Sequence, residues 1–281
     1  MTLPVLIYAP ELASLIDAGT PPVLLDVRWA LGDPNGEEHF REAHIPGAVF
    51  VNLETELAAP PSKESGRHPL PSIENLQEAA RRWGINDGDT VVLYDAVGNM
   101  SAARGWWLLR WAGLSDVRLL DGGLPNWESA GLPTATGSAE AVAPGTVTLR
   151  GGNMLTVDID DVAGWNGLLL DARAGERYRG EVEPIDPVAG HIPGAVSAPT
   201  AANLDASGRF SEAKILRERF AALGDTDRIA VYCGSGVTAA HQIVALAIAG
   251  YDATLFPGSW SQWSQQAQWS NDGARPVETG A

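Results

Sequence analysis

Four short segments in the first half of this chain recur, in the same order, in the second half. Val-Leu-Leu-Asp-Val-Arg at 23–28 returns as Leu-Leu-Leu-Asp-Ala-Arg at 168–173, and His-Ile-Pro-Gly-Ala at 44–48 returns unchanged at 191–195. Leu93-Tyr94 returns as Val231-Tyr232, and the segment from Leu120 to Trp127 returns from Phe256 to Trp263. Asp26 and Asp171 are 145 residues apart, His44 and His191 147, Tyr94 and Tyr232 138, Trp127 and Trp263 136. The drop between the second and third spacings coincides with a Pro/Ser/Gly-rich stretch of the first half, Pro60 to Pro71, which carries Gly66-Arg67-His68-Pro69-Leu70-Pro71. Self-similarity of this kind means that one folding unit has been used twice.

Within each half, apolar β-branched runs alternate with helical patterns. Val23 to Arg28, Thr90 to Asp95, Val117 to Leu120, Leu168 to Arg173 and Ile229 to Tyr232 read as buried strands. Pro10 to Ile16, Ile73 to Trp83, Ser101 to Ala112 and the run from Val237 to Ala249 read as helices. Alternation of this type implies an α/β fold: two tandem domains, each a mainly parallel sheet with helices on both faces. The expected division is residues 1–134, a Gly/Ala/Thr-rich extended linker at 135–155, and residues 156–281.

The two copies differ where a strand hands over to a helix. In the second copy the strand ends at Cys233, the only cysteine of 281 residues, and Gly234-Ser235-Gly236-Val237-Thr238 follows. Glycines let successive backbone N–H groups turn inward as an anion-binding nest, and the helix N-terminus behind them adds partial positive charge. Both favour thiolate, the nucleophilic form of cysteine. Thr238 is the expected cap of the helix. The first copy has Asp95 at the matched place, with a loop one residue longer. A carboxylate offers no thiolate and opposes an anion, so that copy is expected to be inactive and to form one wall of a cleft between domains.

Composition narrows the partners. A net charge of −16 argues against nucleic acid and anionic membranes. A hydrophobic fraction of 45% with 19% charged residues indicates a large folded core. One cysteine forms no intrachain disulfide, and a lone thiol suits a reducing compartment. No apolar run approaches the ~20 residues of a membrane helix, and Met1 to Tyr8 does not read as a signal peptide. A cytoplasmic protein is expected. The histidines show no metal-ligand spacing, and nucleotide-binding fingerprints are missing, so neither metal nor cofactor is expected.

Cysteine phosphatases place an arginine six positions after the cysteine; here that position is Ala239. The loop from Cys233 to Thr238, the doubled His-Ile-Pro-Gly-Ala and the tandem layout instead resemble the rhodanese-type sulfurtransferases, over nearly the whole chain. The resemblance implies two rhodanese-like domains and a cysteine that takes a sulfane sulfur as a persulfide. It then passes the sulfur to cyanide or to a thiol, free or on a protein. It places Gly234, Ser235, Gly236, Val237 and Thr238 around a small anionic donor, gives Arg177 the donor's charged group, and makes Arg173 a structural partner of carboxylates near the loop. Trp29 stands where the family has an aromatic cleft wall; interdomain packing is the other reading. Ser235 reads equally as a donor contact or a small loop residue. A Ser235–His44–Asp33 relay follows by analogy, whereas a fixed corner at Ile45-Pro46-Gly47 accounts for His44 more simply. The loop favours 3-mercaptopyruvate as donor. Yet the second arginine of such enzymes, nine residues beyond Arg177, is Asp186 here, which tips the reading slightly toward thiosulfate. A carrier that relays persulfide sulfur between proteins is the alternative.

Overall fold

The computed structural model describes residues 4–224, 226–269 and 275–281, with the side chains of Gln268 and Trp269 outside it. The chain divides into two compact units. The first contains β1 (Leu6–Ile7), α1 (Ala9–Asp17), β2 (Val23–Asp26), α2 (Gly36–Glu42), β3 (Val49–Phe50), α3 (Leu53–Glu56), α4 (Ile73–Arg82), β4 (Val91–Tyr94), α5 (Ala102–Trp111), β5 (Val117–Leu120) and α6 (Gly123–Ser129). Its sheet runs β1-β5-β4-β2-β3, every pairing parallel.

Parallel strands need coverage on both faces. Leu24, Val92, Tyr94 and Leu120 point to one side, where they meet Leu12, Phe40, Leu124 and Trp127 from α1, α2 and α6. Strand periodicity sends Leu25 and Leu93 to the other side. There α5 lies so close that a Cβ on Gly105 would fall 2.5 Å from Leu93 Cδ2. Each large apolar side chain buried this way contributes roughly 1.5–3 kcal/mol.

The second unit contains α7 (Ile159–Ala163), β6 (Leu168–Asp171), α8 (Gly175–Tyr178), β7 (Val196–Ser197), a 3-10 turn (Thr200–Asn203), α9 (Ala213–Ala221), β8 (Ile229–Tyr232), α10 (Val237–Ala249), β9 (Thr254–Leu255) and α11 (Ser259–Trp269). Its sheet, β7-β6-β8-β9, is again all parallel and repeats the order of the first. The counterpart of β1 has shrunk to a single parallel bridge, Thr156 to Leu255. Leu169, Ala230, Tyr232 and Phe256 pack with Val162, Tyr178, Trp260 and Trp263 on one face. Most of α10, from Val237 to Leu246, is buried, as an apolar central helix requires.

The His-Ile-Pro-Gly-Ala repeats now have a physical role. In each unit the histidine Nδ1 bonds a backbone carbonyl, of Phe40 for His44 and of Tyr178 for His191, and its ring stacks on that residue's ring. The following isoleucine N–H donates to a strand tyrosine hydroxyl, Ile45 to Tyr94 and Ile192 to Tyr232. The corner is thereby locked onto the sheet.

The units are not contiguous in sequence. Residues 59–70 belong to the second and 205–210 to the first. The expected linker is extended, but residues up to Met154 belong to the first unit. Gly145 and Val147 N–H groups donate to Arg81 and Ile85 carbonyls, and Arg150 and Asn153 to Ala112 and Trp111. Residues 135–154 are thus pinned chain, not a free tether.

Candidate active site

Strand β8 ends at Tyr232, and Cys233 is the first residue beyond it, buried at 1% exposure. Its N–H donates to the Ser259 hydroxyl (3.2 Å), and its carbonyl accepts from Trp260 N–H (2.9 Å). The carbonyl of Gly234 accepts from Ser261 N–H (2.8 Å). The loop is therefore held from α11 at two successive residues. Gly236 takes a left-handed φ of +81° and is itself the helix cap. Thr238, the expected cap, lies inside the first turn, because the turn to the left at Gly236 ends the loop two residues earlier. That turn aims the Gly236 N–H at the Cys233 Sγ, 3.2 Å away. The sulfur thus meets a backbone donor at the start of a thirteen-residue helix, whose N-terminus carries partial positive charge.

Behind the loop lies a ladder of ions. Arg173, fully enclosed, grips Asp171 through Nη2 (2.6 Å) and Nε, donates to Gly190 O (2.6 Å), and reaches Glu183 (3.3 Å). Its guanidinium also stacks over the Trp260 ring, 4.6 Å from the centroid. Burial works against its charge, but the Asp171 carboxylate overrides this and raises its pKa. Arg177, on α8, donates through Nη2 to Glu183 (2.7 Å) and Asp186 (3.4 Å). Burial raises the Asp186 pKa, and the Arg67 charge beside it pulls the other way.

Arg67 is the residue that sequence reasoning missed, together with His68. Both lie in the 59–70 segment of the second unit. Arg67 forms an ion pair with Asp186 through Nη1. His68, buried, meets Ser235 Oγ through Nδ1 at 2.8 Å. The histidine at Ser235 is thus His68. The Ser235–His44–Asp33 relay is not assembled: His44 Nδ1 is engaged by Phe40 O, and Asp33 pairs with His39 Nε2 (2.9 Å). One signal was present in the sequence, since the length excess of the first copy falls on the stretch carrying Arg67-His68. A Cβ on Gly234 would lie 3.2 Å from Arg67 Nη2 and 3.4 Å from Arg177 Nη1. A larger residue there would press on the Arg67 guanidinium, which would have to give by a few tenths of an ångström.

The matched place in the first unit is built differently. Asp95 is buried and accepts four backbone N–H groups: Val97 and Asn99 on Oδ1 (both 2.8 Å), Ser101 and Ala102 on Oδ2 (2.8 and 3.1 Å). Burial raises its pKa, and those four donors oppose the rise. Its carboxylate occupies from within the nest that an external anion would use. Trp29 belongs to this unit; its indole N–H donates to Glu54 (2.9 Å), and it lines a cavity of about 290 Å³ with Arg28, Asp33 and His39. Among the described residues there is no group of three or more His, Cys, Asp or Glu placed to hold a metal ion, and no helix long and apolar enough to cross a membrane.

Comparison with known proteins agrees with this architecture. The rhodanese-like domain model matches residues 8–130 and 158–266. A Mycobacterium tuberculosis protein named "Putative thiosulfate sulfurtransferase SseB" is 47% identical, with 98% of this chain and 97% of that protein covered. A Pseudomonas aeruginosa protein named "Probable 3-mercaptopyruvate sulfurtransferase" is 46% identical, with 92% of each chain covered. The crystal structure of a 3-mercaptopyruvate sulfotransferase from Escherichia coli superposes with a TM-score of 0.78 at 32% identity, covering 92% of this chain and 99% of that one.

Proposed function

This chain belongs to the rhodanese family and is a sulfurtransferase; on that premise we propose that it moves sulfur through a persulfide on Cys233, with 3-mercaptopyruvate as the preferred donor. The Cys233 thiolate attacks the donor sulfur, an S–S bond forms, and the donor's C–S bond breaks. The electron pair leaves with the pyruvate enolate, which takes up a proton to become pyruvate. A thiolate or cyanide then attacks the outer sulfur of the persulfide, and the Cys233 thiolate departs. Division into two displacements lowers the barrier of a difficult transfer.

The observation carrying the donor preference is the contact of His68 Nδ1 with Ser235 Oγ, two residues from the nucleophile. A hydroxyl backed by an imidazole supplies the proton that an enolate needs. Sulfite leaving from thiosulfate needs none, so for that donor the pair is idle. Asp186 at the place of the family's second arginine no longer argues for thiosulfate, since it is already engaged by Arg67.

Two variants test this. Cys233→Ala abolishes transfer from either donor while circular dichroism stays unchanged; retained turnover would refute the mechanism. Ser235→Ala lowers kcat/KM for 3-mercaptopyruvate by about 10²-fold, the lower range of general acid–base catalysis, and affects thiosulfate much less. An equal loss with both donors would remove the basis for the preference.

A further inference from the structure

Among the described residues only two other than glycine have a left-handed backbone, Asn99 (φ +66°) and Ser259 (φ +53°). A Cβ disfavours that conformation, so a residue that keeps it is held there by its contacts. The two contacts correspond. Asn99 Nδ2 donates to Leu120 O (2.7 Å), and Ser259 Oγ donates to Phe256 O (3.0 Å). Leu120 and Phe256 are matched positions of the repeat. In the first unit the strained side chain belongs to the loop after β4, and the Asn99 N–H also serves Asp95. In the second unit it lies outside the Cys233 loop, at the first residue of α11.

The first-unit match of Ser259 is Gly123, with φ +59° and no room for a side chain: a Cβ there would fall 2.3 Å from Asp95 O. The second unit has that room and fills it with a hydroxyl. Ser259 is fully enclosed, and its Oγ accepts the Cys233 N–H (3.2 Å) while donating to Phe256 O. Trp260 N–H and Ser261 N–H hold the carbonyls of Cys233 and Gly234. Of these three ties from α11 to the loop, only the one from Ser259 is made by a side chain.

We propose that Ser259 is a positioning residue for sulfur transfer: its hydroxyl fixes the Cys233 main chain, and with it the direction of the Cβ–Sγ bond. The left-handed backbone at Ser259 is retained for that contact. The role rests on the reading of Cys233 as the nucleophile. With its N–H and C=O both tied, Cys233 cannot turn its peptide planes, and Sγ stays 3.2 Å from the Gly236 N–H. A misplaced nucleophile loses rate rather than affinity, because the donor's own contacts are unchanged.

The test compares the full chain as wild type, Ser259→Gly and Ser259→Ala. Both variants lose the hydroxyl, but glycine also relieves the backbone, so its melting temperature is at or above that of the alanine variant. Sulfur loading from 3-mercaptopyruvate and from thiosulfate is followed in a single turnover as a gain of about 32 Da. In both variants the maximal loading rate falls about tenfold or more, while donor half-saturation changes less than about twofold. The loss thus does not follow stability. Because the chain has one cysteine, isotopic labelling of cysteine nitrogen gives a single amide signal, which reports the Cys233 N–H alone. Hydrogen exchange at that amide is faster by about tenfold or more in both variants. Loading at the wild-type rate in Ser259→Gly would overturn the proposal, because Ser259 would then matter for packing only. An amide unchanged in both variants would overturn it too, since the hydroxyl would not be what holds Cys233. A wild type that gains no sulfur from either donor removes the persulfide reading instead, and the amide signal still decides whether Ser259 holds Cys233.

Discussion

At the scale of single residues, the surroundings of Cys233 are set by a few donors aimed by their neighbours. Gly234 illustrates how little room there is. Ala at this position puts a methyl 3.2 Å from Arg67 Nη2 and 3.4 Å from Arg177 Nη1. Gly234→Ala is expected to weaken donor binding, read as a raised KM, while the melting temperature stays close to wild type because both guanidinium heads can give way. His39, in the first unit, provides a pH-dependent contrast. Its ring bonds Asp33 and, at 3.3 Å, Glu42, and the Asp33 bond chiefly raises its pKa above 6.5. The protonated form is thus favoured by folding. The resulting stability is complete below the unfolded value and fades as pH rises through the folded one. Melting temperatures measured at pH 6 and pH 8 are expected to differ less for His39→Gln than for wild type.

At the scale of elements, the same strand-loop-helix device follows β4 and β8 and has been put to opposite uses. After β8 the loop leaves a sulfur beside the Gly236 N–H; after β4 the Asp95 carboxylate takes four N–H groups for itself. Both loops are held by the next helix in the same way, since Leu124 N–H bonds Asp95 O just as Trp260 N–H bonds Cys233 O. Asp95→Ala strands three buried donors and one part-buried donor and is expected to destabilise the first unit by about 3 kcal/mol or more, measured by urea denaturation. A change below about 1 kcal/mol would mean that the carboxylate is not what organises that loop.

At the scale of the whole molecule, the repeat boundaries and the compact units differ. The second unit takes residues 59–70 from the first half of the sequence, and with them Arg67 and His68. The ends of this segment are adjacent, because Ala59 N–H bonds Pro69 O at 3.1 Å. Residues 60–68 can therefore be replaced by two glycines without pulling the flanking chain. We expect that variant to retain its secondary structure by circular dichroism and to lose donor turnover although Cys233 is intact. Undiminished turnover would mean that the second unit needs only residues from its own half of the sequence.

The duplication, the strand-helix alternation and the placement of Cys233 at a strand end were legible in the sequence because each is a local matter. Hydrophobic periodicity and glycine at a turn need no distant partner to be recognised. So was the family resemblance carried by the loop. What surrounds the thiol was not legible. Arg67 and Asp186 are 119 residues apart, and His68 and Ser235 are 167 apart. Nothing in local spacing pairs them, and Asp186 read alone looked like a lost arginine. Only packing of the 59–70 segment against α11 and the Cys233 loop decides which cation and which imidazole reach the site, since ionic and hydrogen-bond partners are set by distance through space.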